Sequence, residues 1–173
     1  GLVGGVIGRS LSDSHDIRGL DMKSAEEEAW DTFVADTTDL EAVLPAYNDV
    51  DTVIDLSARP DMAEPWEIVH GNNITSTYNA LEAARVSGVK RLIFASSNHA
   101  TGMYENDHPY SAIVAGDYKD LDPESIPLIT TDMPVRPDSN YGIAKAFGEN
   151  AGRYYSDNFG LSVICLRIGT LNA

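Results

Sequence analysis

Residues 50–96 read VDTVIDLSARPDMAEPWEIVHGNNITSTYNALEAARVSGVKRLIFAS, and this stretch decides the fold. It begins with an apolar run over residues 50–56 that is typical of a buried strand. A long helical pattern follows over residues 65–86 and stops near Gly88, and a second strand-like run covers residues 91–96. Two strands joined by a helix of this length are expected to run parallel in one sheet.

The same alternation continues on both sides of this unit. On its N-terminal side, residues 32–36 are strand-like and residues 40–47 predict a short helix. On its C-terminal side, residues 139–159 predict a helix ended by Gly160, and residues 161–168 predict a last strand. Strands that alternate with helices in this way predict an α/β fold, a doubly wound parallel sheet with helices on both faces.

The first residues of the chain resemble the end of a glycine-rich turn that runs into an amphipathic helix. Gly1 and Gly4 fit the second and third glycines of a dinucleotide-binding turn, and residues 15–21 predict a short strand that ends in Asp21. In that Rossmann-type fold the pyrophosphate lies at the helix N-terminus and the acid binds the ribose. We therefore expect a fragment whose central first strand is missing, and an isolated chain that is unstable. A glycine-rich loop that caps another kind of helix is the alternative.

Composition favours one folded domain over residues 1–173. The chain is 43% hydrophobic and 23% charged, which suits a single core. Its net charge of −15 argues against a nucleic-acid or anionic-membrane partner, and it contains no run of about 18 apolar residues. The single Cys165 lies in an apolar run, which excludes an internal disulfide and fits a reducing cytoplasm. No metal site is predicted.

Tyr141 and Lys145 lie four residues apart in the predicted helix 139–159 and so share one of its faces. A phenol has an ordinary pKa of about 10, and a neighbouring ammonium group stabilises its ionised form, so this pairing predicts a tyrosine that serves as a base. With eight Tyr and four Lys in the chain, roughly 0.2 such pairs are expected by chance. An ordinary surface helix is therefore the alternative unless a cofactor site accompanies the pair.

The segment between the strand 91–96 and this helix contains more than forty residues, 98–140, and is rich in Asp, Pro and Tyr. A loop of this length in a compact domain covers a site, contacts a partner, or is a solvated excursion on the surface.

Taken together, these motifs resemble the extended short-chain dehydrogenase/reductase family, also named the NAD-dependent epimerase/dehydratase family. The resemblance rests on the glycines at 1 and 4, Asp21, residues 35–39, residues 73–79, Ser96–Ser97 and the pair Tyr141 and Lys145. It implies NAD as cofactor, with contacts from Gly1, Leu2, Val3, Gly4, Asp21, Asp36, Thr37, Leu56, Ser57, Ala58, Asn73, Tyr141 and Lys145. Asp21 favours NAD over NADP, although the nearby Lys23 weakens that preference. Ser76 stands where the family commonly has glycine, a departure expected to affect helix packing more than chemistry.

Residues 96–102, SSNHATG, are similar to the uronate dehydrogenase branch of that family. The resemblance implies that Ser97, Asn98 and His99 hold the hydroxyl groups of a sugar. It also implies an arginine beyond Ala173 for a carboxylate, and Pro60 lies near the place of a substrate-contacting serine. Because of these two points, the resemblance does not decide whether the substrate carries a carboxylate. His99 as an ordinary polar loop residue is the alternative.

The resemblance implies a mechanism in which Ser97, Tyr141 and Lys145 are catalytic. A hydride passes from a sugar or uronic acid to NAD, at the anomeric carbon, and a lactone forms. A nucleotide-sugar epimerase or dehydratase with tightly bound NAD is one alternative, and a nucleotide-binding protein without catalysis is another. By analogy, a homodimer would pair the helices that carry Asn73 and Tyr141.

Overall fold

The computed structural model describes residues 1–24, 28 and 30–170. In chain order its strands are β1 (Gly19–Asp21), β2 (Thr32–Val34), β3 (Thr52–Asp55), β4 (Arg91–Ser97) and β5 (Ser162–Ile168). Its α-helices are α1 (Leu2–Leu11), α2 (Leu40–Val43), α3 (Trp66–Val69), α4 (Thr75–Val86), α5 (Tyr110–Val114) and α6 (Asn140–Phe159). From β2 onwards, strands and helices alternate as predicted.

All strand pairs in the described residues are parallel, which confirms the predicted α/β class. The strands form two separate sheets, one with the order β1-β2 and one with the order β3-β4-β5. In the second sheet Asp55 is the register partner of Phe94, and Ser97 is the register partner of Ile168. Because all pairs are parallel, the carboxyl ends of neighbouring strands meet at one edge of each sheet.

The helix predicted over residues 65–86 is interrupted by a wider turn. It begins after Pro65 as α3, passes through a π-helical turn at His70–Ile74 and continues as α4. The π-helical turn contains Asn73, which is 2% exposed. Such turns often occur at functional sites, and periodicity alone does not reveal them.

Helices α4 and α6 cover the face of β4 that carries Leu92 and Phe94, and this contact forms the core. The core cluster consists of Val43, Ala46, Tyr47, Ala80, Leu81, Ala83, Ala84, Val89, Leu92, Phe94, Tyr155 and Leu161. Helix α6 is capped by Ser139, whose Oγ accepts from Gly142 N at 3.0 Å, and it ends at Gly160 in the left-handed conformation. The core therefore fixes the helix that carries Tyr141 and Lys145.

The N-terminal segment differs from the prediction in one respect. The glycine-rich turn expected over residues 1–4 is already helical from Leu2, with Gly1 as the N-cap. The first backbone N–H groups of a helix lack intrahelical partners, so the segment still presents free donors. A Cβ atom on Gly4 would lie 3.5 Å from Leu56 Cδ1, which places this helix start against the loop after β3.

The long segment between β4 and α6 is organised by short helical turns rather than by further strands. It contains helical turns at Asn98–Ala100, Gly102–Asn106 and Pro123–Ser125 in addition to α5. Arg136 links its two ends, because the guanidinium group pairs with Asp107 and lies 4.5 Å from the ring centroid of Tyr104. In the described part of the chain, no helix is long and apolar enough to cross a membrane.

Candidate active site

Polar side chains lie at the carboxyl ends of three strands. Asp21 ends β1, Asp55 ends β3 and Ser97 ends β4, and the N-terminus of α6 follows the loop after β4. In open parallel sheets, ligands bind at this edge. The topology therefore places the predicted site residues where such a fold binds its ligands.

Tyr141 and Lys145 lie on the same face of α6, as predicted. The Lys145 Nζ is 5.3 Å from the centroid of the Tyr141 ring and 4.9 Å from that of Phe94. Lys145 is only 4% exposed, so its ammonium group is held against two aromatic faces beneath the phenol. The Ser97 hydroxyl lies close enough to the Tyr141 hydroxyl to lower the pKa of that phenol, which joins the three predicted catalytic residues in one cluster.

The pKa of Tyr141 differs from the prediction. Burial of the phenol raises its pKa above the ordinary value, and the neighbouring Ser97 hydroxyl only partly opposes this shift. Lys145 does not overcome the burial, since its Nζ lies over the ring rather than at the hydroxyl, and burial lowers its own pKa. In this arrangement the lysine alone does not lower the pKa of the tyrosine below its ordinary value.

Asp55 is a buried carboxylate of this cluster that the motifs did not identify. Its register partner is Phe94, so the two side chains share a sheet face, and Lys145 lies against the Phe94 ring. Asp55 Oδ1 accepts from Ser57 N at 3.0 Å and from Ser57 Oγ at 2.5 Å, whereas Oδ2 is buried and has no partner among the described residues. Burial raises the pKa of Asp55, and the positive charge of Lys145 opposes that shift. A position at the end of a strand was the only sequence signal for it.

Ser97, Asn98 and His99 form a compact turn directly after β4. Ser97 Oγ donates to Asn98 Oδ1 at 3.1 Å and accepts from His99 N at 3.2 Å. The His99 ring meets Tyr141 edge to face, with 5.8 Å between centroids. Ser97 and His99 thus lie next to the phenol, and the open end of the turn is formed by the exposed Asn98 and the partly exposed His99.

Among the predicted nucleotide contacts, Asp21 lies beside the start of α1. The Gly1 nitrogen is 3.5 Å from Asp21 Oδ2, and Asp21 Oδ1 accepts from Lys23 N at 3.2 Å. The Asp21 side chain is 47% exposed, so it keeps acceptor capacity for a ribose hydroxyl. This geometry fits the expectation that the helix N-terminus binds the phosphate groups and that the acid binds the ribose.

The second predicted nucleotide contact, the turn at Asp36 and Thr37, is anchored to α4. Asp36 Oδ1 accepts from Thr38 N and Thr38 Oγ1, and these bonds lower the pKa of Asp36, so the carboxylate stays ionised. Thr37 Oγ1 lies 2.8 Å from Ser76 Oγ, and Thr37 O accepts from Asn79 Nδ2. Ser76 therefore does more than pack, because its hydroxyl holds the turn. No sequence motif indicated this role for Ser76 or for Asn79.

Asn73 supports the third predicted contact, the loop that contains Leu56, Ser57 and Ala58. Its Oδ1 accepts from Arg59 N at 2.8 Å, and its Nδ2 donates to Arg59 O at 3.1 Å. The amide is therefore engaged with the backbone of this loop. Asn73 therefore shapes this loop, on which the predicted nucleotide contacts Leu56, Ser57 and Ala58 are partly exposed.

The fold of the chain matches solved sugar dehydrogenases. A mutated uronate dehydrogenase has a TM-score of 0.79 and 34% identity, with 98% of this chain and 56% of that chain covered. A tyrosine-to-alanine variant of uronate dehydrogenase from Agrobacterium tumefaciens, solved in complex with NAD, has a TM-score of 0.74 and 30% identity and covers 94% of this chain and 55% of its own. The structure therefore has the Rossmann-type architecture of the extended short-chain dehydrogenases.

Sequence comparison identifies the family. The profile of the NAD dependent epimerase/dehydratase family matches residues 1–172, and the chain belongs to this family. It is 37% identical to L-arabinose 1-dehydrogenase (NAD(P)(+)) of Haloferax volcanii over 99% of this chain and 64% of that protein. It is 34% identical to uronate dehydrogenase of Pseudomonas syringae pv. tomato over 79% of this chain and 42% of that protein. The chain thus spans between two fifths and two thirds of the length of these relatives.

Proposed function

We propose that the protein is an NAD-dependent dehydrogenase that oxidises a free sugar or a uronic acid, at the anomeric carbon, to a lactone. The cluster of Ser97, Tyr141 and Lys145 at the carboxyl end of β4 is the observation that carries this proposal. Two relatives with sequence identities of 34–37% are named as dehydrogenases of arabinose and uronate, which supports the substrate class.

The described residues fit a dinucleotide. Asp21 offers a partly exposed carboxylate beside the free N–H groups of α1, and a 2′-phosphate at that position would be repelled by the carboxylate, which favours NAD over NADP. The proposed contacts are Gly1, Leu2, Val3, Gly4, Asp21, Asp36, Thr37, Leu56, Ser57, Ala58, Asn73, Tyr141 and Lys145. When bound, NAD supplies a hydride acceptor and a positive charge close to the phenol.

The protein side chains have separate roles in the proposed reaction. Ser97 hydrogen-bonds the oxygen of the reacting hydroxyl and fixes its distance from Tyr141. The Tyr141 oxygen accepts the proton of that hydroxyl while the hydrogen on the same carbon leaves as hydride. Lys145 stabilises the ionised phenol and holds the ribose next to it. Burial raises the pKa of Tyr141, so we expect base catalysis to depend on a bound cationic ring.

Replacing Tyr141 by Phe tests this proposal. The complete reading frame is expressed, purified and incubated with NAD and with uronic acids, aldoses and sugar phosphates in turn, while NADH formation is followed. The wild-type protein should release NADH with at least one sugar, and Tyr141→Phe should lower the rate about 10²–10⁴-fold, since it loses the proton acceptor. NAD affinity, measured by calorimetry, should fall by no more than about tenfold, as expected for one lost hydrogen bond.

The matched control is Tyr154→Phe, because Tyr154 lies on the same helix but is 55% exposed. Normal turnover in Tyr141→Phe, or an equal loss in Tyr154→Phe, would contradict the assignment. An epimerase or dehydratase would convert a nucleotide sugar without net release of NADH. A protein without catalysis would bind NAD and turn over none of the sugars.

A further inference from the structure

Asp138 is a carboxylate at the N-terminus of α6 that holds the ring of His99. Its Oδ2 lies 2.7 Å from His99 Nδ1, and the side chains are 22% and 27% exposed. The other carboxylate oxygen, Oδ1, accepts from Ser139 Oγ at 2.8 Å. Ser139 is also the N-cap of α6. Both oxygens of Asp138 are therefore tied to groups whose positions are set by the start of this helix.

The backbone around this pair leaves the carboxylate little freedom. Asp138 N donates to His99 O at 3.4 Å, so the two residues are joined by their main chains as well as by their side chains. A Cβ atom on Gly102 would lie 1.8 Å from Asp138 Oδ2, which no real structure tolerates. The absence of a side chain at Gly102 is thus what makes room for the carboxylate.

This contact determines which nitrogen of His99 carries a proton. A carboxylate only accepts hydrogen bonds, so a neutral imidazole next to it keeps its proton on Nδ1. The other nitrogen, Nε2, then has a free lone pair, and it has no protein partner among the residues that the structure describes. Because the His99 ring meets Tyr141 edge to face, this acceptor belongs to the same cluster as the proposed base.

We propose that Asp138 is a positioning residue that fixes His99 as the Nδ1-protonated tautomer, so that Nε2 accepts a hydrogen bond from the sugar hydroxyl next to the reacting one. This inference rests on the proposed function for its substrate, and on geometry alone for the tautomer. It assigns a role in substrate binding to a residue outside the predicted site. An acceptor at Nε2 would favour sugars that carry a hydroxyl group on the carbon beside the reacting carbon.

The tautomer is tested by nitrogen NMR on the complete protein with ¹⁵N-labelled histidine, at a pH where imidazole is neutral. The wild-type His99 should show a protonated Nδ1 and an unprotonated Nε2. In Asp138→Asn the amide donates as well as accepts, so the tautomer with a proton on Nε2 should become populated. Asp157→Asn is the matched control, because Asp157 lies in α6 and pairs with Arg153 away from the site. It should leave the His99 signals unchanged.

A wild-type His99 with its proton on Nε2, or an unchanged tautomer in Asp138→Asn, overturns the proposal. If Asp138→Asn does not fold, Gly102→Ala displaces the same carboxylate and should give the same mixture of tautomers. These readouts require no turnover. If no dehydrogenase activity is found but the tautomers behave as expected, the proposed function is wrong and the positioning role of Asp138 still holds.

Once a sugar substrate has been identified, steady-state kinetics test the role of His99 Nε2. Asp138→Asn should raise KM about tenfold with little change in kcat, as expected for the loss of one hydrogen bond made equally in the ground state and the transition state. The wild-type protein should discriminate against the analogue that lacks the neighbouring hydroxyl, and Asp138→Asn should not. Equal discrimination by both proteins contradicts the proposed contact.

Discussion

At the scale of single residues, the site depends on charges that are buried together. Lys145 is 4% exposed and lies against the ring of Phe94, and Asp55, the register partner of Phe94, is 6% exposed. Burial alone would favour the neutral form of each group, and their mutual attraction opposes this effect. The ammonium group near Tyr141 therefore has a buried counter-charge, although the pair is not in direct contact.

Asp55→Asn should change how the stability of the chain depends on pH. The pKa of Asp55 is raised by burial, so the folded state binds this proton more tightly than the unfolded state does. The resulting stabilisation is present below the unfolded pKa of about 3.9 and is lost as the pH rises through the raised value. Relative to Asp55→Asn, the wild-type chain should become less stable from about pH 4 upwards, as measured by urea unfolding.

Asp51→Asn is the matched control with the opposite sign. The Lys90 ammonium next to Asp51 lowers the pKa of this exposed carboxyl group. The wild-type chain should therefore gain stability relative to Asp51→Asn as the pH rises, and only slightly, because the pair is exposed. Parallel pH profiles for the two variants would contradict the buried position of Asp55.

At the scale of elements, the site depends on how closely the start of α6 approaches the turn after β4. A Cβ atom on Gly142 would lie 2.3 Å from His99 O. Because His99 O is a backbone atom, it can move aside only if the chain itself shifts. The same turn contains Ser97, and the same helix contains Tyr141. Glycine at 142 is thus required for the contact that joins the proposed catalytic residues.

Gly142→Ala should push α6 away from this turn. We expect a loss of about 1–3 kcal/mol in the free energy of unfolding, as for other overpacked contacts, and a lower kcat in the complete protein. Gly71→Ala is the control, because nothing lies within 4 Å of the added methyl group. In a helix it should be neutral or stabilising by up to about 1 kcal/mol. Equal stability of the two variants would show that the approach at Gly142 is not as close as described.

At the scale of the whole molecule, the two sheets differ in how well they are supported. Strand β4 is paired on both sides, and its Leu92 and Phe94 are at most 1% exposed. Strands β1 and β2 have three residues each and form a two-stranded sheet, in which Phe33 and Val34 are 39% and 59% exposed. A pair of short strands is marginally stable unless it packs against other elements.

Hydrogen exchange should therefore resolve the two sheets. In the 173-residue chain, backbone amides of β4 should exchange more slowly than those of β1 and β2, because the short pair opens locally without unfolding the core. Amides of β5, paired on one side only, serve as an internal comparison and should be intermediate. Uniform protection across all five strands would mean that the chain unfolds as one cooperative unit.

Much of the architecture was predictable from local pattern. The alternation of apolar runs and helical periodicity predicted the strands and the long helices, and Gly160 marked the end of α6. These features depend on neighbours in the chain, which sequence displays directly. The π-helical turn at His70–Ile74 was not predictable, since it does not disturb the apolar pattern on either side.

The sequence by itself determined the parallel α/β class, the family motifs and the pairing of Tyr141 with Lys145 on one helix face. Only the tertiary structure decided the electrostatics, because burial depends on atoms from distant parts of the chain. It reversed the expected direction of the pKa of Tyr141. It also brought Asp55 towards Lys145 and placed Asp138 in contact with His99, pairings that span 90 and 39 positions and that have no local signature in the sequence.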